Sequence, residues 1–212
     1  MYKESLTKSS WVGTGMLPEE LCIDTNSPEF ETLWNMRPGY RNKIKIFGKE
    51  YDMPREQQVF GVSNYMYSGT IFNTIEDMPQ FISLYLSWAN NMDKQINRTN
   101  ECIPNPKYNM VLVNWYFNGK DNIGWHKDDE KEIIPGTDVL TITFGEKRKF
   151  KIKHDTLDIC CDYPTIHNGY IVMGGDFQKE FKHSIPKTSN KSIQGRRISL
   201  TFRKFKKKQI GD

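Results

Sequence analysis

Cysteine is scarce in this chain of 212 residues: there are four, Cys22, Cys102, Cys160 and Cys161. Two are adjacent and none forms a Cys-x-x-Cys pair, which argues against both a disulfide framework and a thiolate zinc site, so reduced thiols are expected. No run approaches the roughly 18 consecutive apolar residues of a membrane span. The opening Met1-Tyr2-Lys3-Glu4-Ser5 lacks the layout of a secretory signal, so a soluble intracellular protein is expected, nucleus and cytoplasm being indistinguishable. Asn97-Arg98-Thr99 and Asn190-Lys191-Ser192 fit a glycosylation triplet, but nothing else suggests secretion. Internal periods and low-complexity tracts are missing too, which excludes a repeat array. Acidic residues vanish from Lys187 to Lys208, a stretch with nine basic ones, although the overall balance is only +4. That local positive field suits either a solvated tail or a phosphate-binding face.

Large side chains are plentiful: 37% of residues are apolar and 13% aromatic, enough for one packed domain. Two helices are predicted, Ser27–Met36, with Ser27 capping and Pro28 at the first helical position, and Pro79–Ile96. In the second, Phe81, Leu84, Leu86, Trp88 and Met92 are expected to face the core. Elsewhere the pattern is strand, with runs at Lys43–Phe47, Met110–Phe117, Val139–Phe144, Lys149–Lys153, Gly169–Met173 and Arg197–Phe205. Many short strands point to a β-rich sandwich, jelly roll or small barrel with flanking helices.

The segment Gly124-Trp125-His126-Lys127-Asp128-Asp129-Glu130 holds the densest group of unusual residues. If it is extended, His126 and Asp128 share a face, and with His183 they would make the two-histidine, one-carboxylate set that binds non-haem iron. Hydrolytic zinc uses similar ligands, and spacing alone leaves the choice open. On Arg197-Ile198-Ser199-Leu200-Thr201-Phe202-Arg203, alternation places Arg197, Ser199, Thr201 and Arg203 opposite an apolar face. Two guanidiniums lining a cavity suit a dicarboxylate, which favours iron with a keto-acid cosubstrate. Asn114 and Tyr116, two apart on another strand, would add polar groups to the same cavity.

In order and spacing, Asn114/Tyr116, His126/Asp128, His183 and Arg197/Thr201/Arg203 resemble the AlkB family of Fe(II)- and 2-oxoglutarate-dependent dioxygenases. The resemblance runs from about Phe30 to Phe205 and is nearest to the animal DNA-repair branch, homologues two and three. It implies a double-stranded β-helix (jelly roll), β-rich α+β, with flanking helices and an N-terminal nucleotide-recognition lid. The implied boundaries are an extension at 1–29, a dioxygenase domain at 30–205 (lid about 43–70, jelly-roll core about 109–205) and a basic tail at 206–212.

By this resemblance His126, Asp128 and His183 would hold Fe(II) and form the catalytic centre. Asn114, Tyr116 and Thr201 would help to hold 2-oxoglutarate, with Arg203 on its distal carboxylate and Arg197 near the metal-proximal one. Ile46-Phe47-Gly48-Lys49 resembles a hairpin that enters the duplex, with Phe47 as the wedge. Arg55 and Gln57 fall in the lid's first part, and Tyr65 and Tyr67 in its second, where the loop is shorter than in the family. Tyr65, with Tyr67, would cover one face of an extruded base, His126 the other, and Asp129 or Glu130 would accept from an exocyclic amine. Arg55, Lys187, Lys191, Lys204, Lys206, Lys207 and Lys208 remain for phosphate contacts.

The implied reaction consumes O2 and 2-oxoglutarate, hydroxylates the N-methyl carbon of 1-methyladenine or 3-methylcytosine in DNA, and releases formaldehyde, succinate and CO2. A monomer acting on duplex DNA is expected, with no membrane partner. RNA or single strands, a catalytically silent nucleic-acid-binding module, and protein hydroxylation are the rival readings. His154 and His167 are expected to be structural or exposed, and Trp11 and Leu17 to pack on the β core.

Overall fold

A computed structural model of the chain describes residues 1–46, 48–61, 65–67, 70–72, 74–96, 107–189 and 195–206, with backbone only at 45, 46, 65–67 and 70–72. From the N-terminus come β1 (Tyr2–Ser5), β2 (Ser10–Met16), a 3-10 turn (Glu19–Leu21), α1 (Pro28–Asn35), β3 (Lys43–Ile46), β4 (Lys49–Asp52), β5 (Glu56–Gly61), β6 (Tyr65–Tyr67), β7 (Thr70–Phe72) and β8 (Thr74–Ile75). Then follow α2 (Gln80–Ile96), β9 (Met110–Tyr116), β10 (Ile123–His126), β11 (Val139–Gly145), β12 (Arg148–His154), β13 (Cys160–Thr165), β14 (Gly169–Gly175), α3 (Phe177–Glu180), β15 (Phe181–Ile185) and β16 (Arg197–Arg203).

An eight-stranded sheet in the order β1-β2-β14-β11-β16-β9-β5-β8 faces a four-stranded sheet in the order β10-β15-β12-β13. This is the expected jelly-roll sandwich. Alternation along the central strands divides the apolar side chains between two cores. Ile198, Leu200 and Phe202 of β16 and Val111, Val113 and Trp115 of β9 face the helices, meeting Phe30, Leu33, Ile82, Tyr85 and Ala89. Between the sheets, Val12, Val139, Ile171 and Met173 meet Phe150, Ile152, Phe177, Phe181 and Ile185. The polar residues of β9 and β16 therefore have only the inter-sheet space to enter.

Helix α1 begins as expected: Pro28 opens it and the Ser27 hydroxyl accepts from the Phe30 amide. It docks on the sheet where the Trp115 indole donates to the Leu33 carbonyl at 2.9 Å. In α2 the buried stripe is Ile82, Tyr85, Ala89 and Asp93. Phe81, Leu86, Trp88 and Met92 flank it half-buried, while Leu84, expected in the core, is 48% exposed. The stripe is displaced by one position because Ala89 and Asp93, which carry no hydrophobic signal, occupy its centre.

Three segments owe their places to the strands they pair with. In the segment 1–29, β2 pairs with β14 from Gly169↔Met16 to Gly175↔Ser10. Trp11 and Leu17 pack on the core as expected, and Gly174 is needed because a Cβ there would lie 2.0 Å from the Trp11 ring. The Glu180 carboxylate accepts from the Thr7, Ser9 and Ser10 hydroxyls at 2.7, 2.8 and 2.5 Å, tying this hairpin to α3. Second, β5 falls inside the expected lid range yet is an inner strand of the large sheet, paired with β9, because both faces of Val59-Phe60 are buried. The lid range otherwise holds two hairpins, β3–β4 and β6–β7. Third, the Cys160-Cys161 segment opens β13, which pairs with β12. Cys22, Cys160 and Cys161 are free thiols. Among the described residues no helix is long and apolar enough to cross a membrane.

Candidate active site

The small sheet brings the three metal-ligand candidates together. His126 ends β10 and lies opposite His183 of β15 in the antiparallel register. That register slips between Ile123 and His126, so Gly124 and Trp125 are both exposed while Ile123 and His126 both line the cavity. A bulge of this kind re-aims one side chain at the end of a strand. Asp128 lies beyond the strand, and Gln178 of α3 accepts its amide at 2.9 Å. Its carboxylate sits 3.8 Å from His126 Nε2 and 3.7 Å from His183 Nε2. One ligand atom from each of the three residues lies within 4.8 Å of the others.

Electrostatics prepare this group for a cation. Burial pushes the histidines down, His183 to about 3, so the rings are neutral at physiological pH. For Asp128 burial acts upward, but Arg203, His183 and His126 together outweigh it and hold the carboxyl at about 2. Neutral imidazole and ionised carboxylate are the forms that ligate a metal. His126 Nδ1 lies 2.9 Å from the Gly124 carbonyl, which turns Nε2 towards the carboxylate. Asp128 Oδ2 and His183 Nδ1 are buried without a hydrogen-bond partner among the described residues. The donor set, two nitrogens and one oxygen around a shared point, fits Fe(II).

The large sheet supplies the rest of the cavity wall: Asn114 and Tyr116 from β9, and Arg197, Ser199, Thr201 and Arg203 from β16. The two arginines stand apart on this wall. Arg203 donates to Asp128 Oδ1 at 2.5 Å and lies 3.9 Å from Glu130, so it belongs beside the metal ligands. Arg197, six residues away and so about 20 Å along the strand, donates to the Thr143 hydroxyl at 3.2 Å and lies over the Tyr116 ring at 4.7 Å. The cause is connectivity: the segment after Asp128 returns along the C-terminal end of β16, through Ile134 N to Lys204 O and an Ile133↔Phe205 bridge. Arg197 is 2% exposed, and its Nε and Nη1 have no hydrogen-bond partner among the described residues. A buried cation with two unsatisfied donors in a cavity shared with the metal ligands fits the distal carboxylate of 2-oxoglutarate.

The remaining candidates divide. Thr201 meets Thr141, hydroxyl to hydroxyl at 3.2 Å, on the cavity wall. Arg55 is buried, donating to Asn114 Oδ1 at 2.7 Å and to the Asn122 carbonyl, so it orients Asn114 and is not a surface phosphate contact. Gln57 is buried opposite Asn114, with its side-chain oxygen lacking a partner. Glu130 turns inward while Asp129 is exposed. Tyr65 and Tyr67 lie on β6, described by backbone only, and Phe47 lies outside the described residues. Lys204, expected at a phosphate, is 1% exposed and bound to Asp93 at 2.8 and 2.9 Å. Lys187 and Lys206 are exposed, and Lys191, Lys207 and Lys208 lie outside the described residues.

Three contributors escaped the sequence reading. Phe150 stacks on His183, centroids 5.3 Å apart and planes 26° apart, and the inward alternation of Phe150 and Ile152 was its signal. Gln178 and Thr143 carry no pattern of their own. His167 accepts from the Gly145 amide and His154 from the Thr156 and Leu157 amides, structural roles as expected.

Residues 29–203 match the model of the 2OG-Fe(II) oxygenase superfamily. Among curated proteins the chain is similar to DNA oxidative demethylase ALKBH2 of Mus musculus, 30% identical over 174 residues, covering 77% of this chain and 66% of that protein. It is 27% identical to the Homo sapiens protein of that name, covering 77% and 61%. It is also 27% identical to alpha-ketoglutarate-dependent dioxygenase alkB homolog 3 of Rattus norvegicus, covering 87% and 57%. The chain thus spans between 57% and 66% of the length of these relatives. A solved structure, that of OsALKBH1, superposes with a TM-score of 0.56 at 14% identity over 96% of this chain and 100% of the other, a likeness of fold.

Proposed function

Since the chain belongs to the 2OG-Fe(II) oxygenase superfamily, we propose that it is an Fe(II)- and 2-oxoglutarate-dependent dioxygenase that dealkylates nucleobases in DNA, with 1-methyladenine and 3-methylcytosine as substrates. The observation that carries this reading is one cavity lined by His126, Asp128, His183, Arg197 and Arg203. The names of the relatives, DNA oxidative demethylase among them, support the nucleobase substrate.

When bound, iron with O2 and the keto acid supplies the oxidising power that places a hydroxyl group on an N-methyl carbon, leaving succinate and CO2. The chain's residues do the positioning. Arg203 keeps Asp128 ionised and oriented, and Gln178 holds its backbone. Arg197 would hold the distal carboxylate of the cosubstrate, and Asn114, Tyr116 and Thr201, which line the same cavity, would help to hold it. Arg55 fixes the Asn114 amide through its oxygen, leaving the amide nitrogen to donate. Phe150, stacked on His183, excludes water from the inner side of the centre. Glu130, beside Arg203, would accept from an exocyclic amine of the base, and its charge would favour a cationic methylated base over the normal one. The hydroxylated base then loses formaldehyde without further help.

The test is formaldehyde release from matched single- and double-stranded methylated oligonucleotides, with and without chelator, alongside His183→Ala. Release that needs iron and His183 is expected. Succinate formed with no formaldehyde from any methylated nucleic acid would sink the substrate assignment while leaving the oxygenase. Duplex preference rests on the β3–β4 hairpin, in which Ile46 pairs with Lys49. Phe47→Ala should slow the duplex reaction at least tenfold and the single-strand reaction little, and equal loss on both would remove the wedge role.

A further inference from the structure

The outer face of the four-stranded sheet carries a pattern that the proposed chemistry does not use. Along β12 the inward residues are Phe150 and Ile152, and the outward ones are Lys149, Lys151 and Lys153. At about 3.3 Å per residue these lysines form a stripe some 13 Å long. Lys182 of the adjacent β15 lies opposite Lys153 and continues the stripe sideways. At its end nearest the metal ligands stands Trp125, 42% exposed, pushed outward by the bulge that turns His126 inward. Lys153 Nζ sits 4.6 Å from the centre of that ring.

Alternating lysines make a solvated sheet face, and Trp125 adds to them a large flat ring, 42% exposed and reached by Lys153. The carboxylates on this face are few. Asp162 lies 3.3 Å from Lys149 and 3.5 Å from Lys151, and Asp155 lies 3.4 Å from Lys182. Such exposed pairs are worth about 0–1 kcal/mol, so phosphates can displace them. Lysines in a row bind a phosphate backbone whatever its sequence, and an exposed indole offers a stacking platform for an unpaired base.

We infer that this face, Lys149, Lys151, Lys153 and Lys182 with Trp125 at its end, is a docking surface for the phosphate backbone of the strand flanking the lesion. The inference deepens the proposed function and rests on it. It moves the electrostatic footprint away from the C-terminal run, where Lys204 and Arg203 are consumed inside the fold, and gives the bulge in β10 two products: a metal ligand inside and a stacking surface outside.

The test compares the double variant Lys149→Glu/Lys151→Glu with a control of equal charge change, Lys94→Glu/Lys107→Glu, in the full chain. For the first, the Kd for a methylated oligonucleotide in 50 mM salt should rise at least tenfold, and the slope of log affinity against log salt should flatten by about two phosphate equivalents. kcat should stay unchanged while KM for the oligonucleotide rises, and turnover of the free methylated nucleoside should match wild type. The control should bind as wild type. Trp125→Ala should lose affinity for single strands several-fold, and Trp125→Phe should retain it. Wild-type binding by the double variant, or equal loss in the control, would overturn the docking surface even if demethylation is intact. A wild-type chain with neither nucleic-acid binding nor turnover would instead fell the functional reading, and this inference with it.

Discussion

Arg197 and Arg203 have the same side chain, lie on the same face of one strand and answer to opposite needs. Arg203 compensates a buried carboxylate, so removing it leaves Asp128 charged and unsupported in a low-dielectric site. Arg203→Met is therefore expected to lower iron affinity by about 10–100-fold, the range for lost partners of metal ligands, measured as metal retained after gel filtration. Arg197 has two donors without a partner among the described residues, and it contacts Thr143 and Tyr116. Arg197→Met should keep iron and lose 2-oxoglutarate, with at least a tenfold rise in the Kd measured calorimetrically with the metal in place. A reversed outcome, iron lost with Arg197 and keto acid lost with Arg203, would restore the arrangement that family resemblance alone implies. The sequence pattern does not choose between the two arrangements. Alternation tells which residues share a face, but which end of the face lies near the metal depends on how a distant segment, 129–134, returns to the strand.

At the scale of elements, β12 and β16 were legible because their side chains alternate between two faces, and β9 because it is a short apolar run buried on both. The cap on α1 was legible because Ser27-Pro28 acts locally. What could not be read were features defined by a partner: the bulge in β10, the place of β2 in the sheet, and the inner position of β5. The C-terminal run shows the same limit. Its charge suggested a surface, yet Lys204 is buried against Asp93 of α2, clamping the end of β16 that holds Arg203. Breaking a buried pair by removing one partner costs about 3–5 kcal/mol. Lys204→Met should lose stability on that scale in urea titrations, and the double variant Asp93→Leu/Lys204→Met should recover most of it. No recovery would mean that the lysine acts through packing alone.

For the whole molecule the metal centre is also a source of pH sensitivity. Burial holds His183 at about 3, against an ordinary 6.5, and pushes His126 in the same direction. Below pH 6.5 the unfolded chain therefore binds protons that the folded, metal-free chain refuses, and stability falls as the pH drops from about 6.5 towards 3. Asp128, held at about 2 against 3.8, extends the loss at lower pH, because its ionised form is retained only in the folded state. Metal-free protein should lose up to about 1 kcal/mol per pH unit for each such histidine, read as a falling urea midpoint between pH 7 and 5. His183→Gln should flatten the profile, and an identical slope in that variant would assign the sensitivity elsewhere.

The three hydroxyls gathered on Glu180 give the N-terminal hairpin an unexpected reach. Glu180 immediately precedes the strand that carries His183, so an edit as remote as Thr7 or Ser9 loosens the tether of the third metal ligand. Amide hydrogen exchange across 181–185 should quicken on losing those hydroxyls, well before any residue of the centre itself is altered.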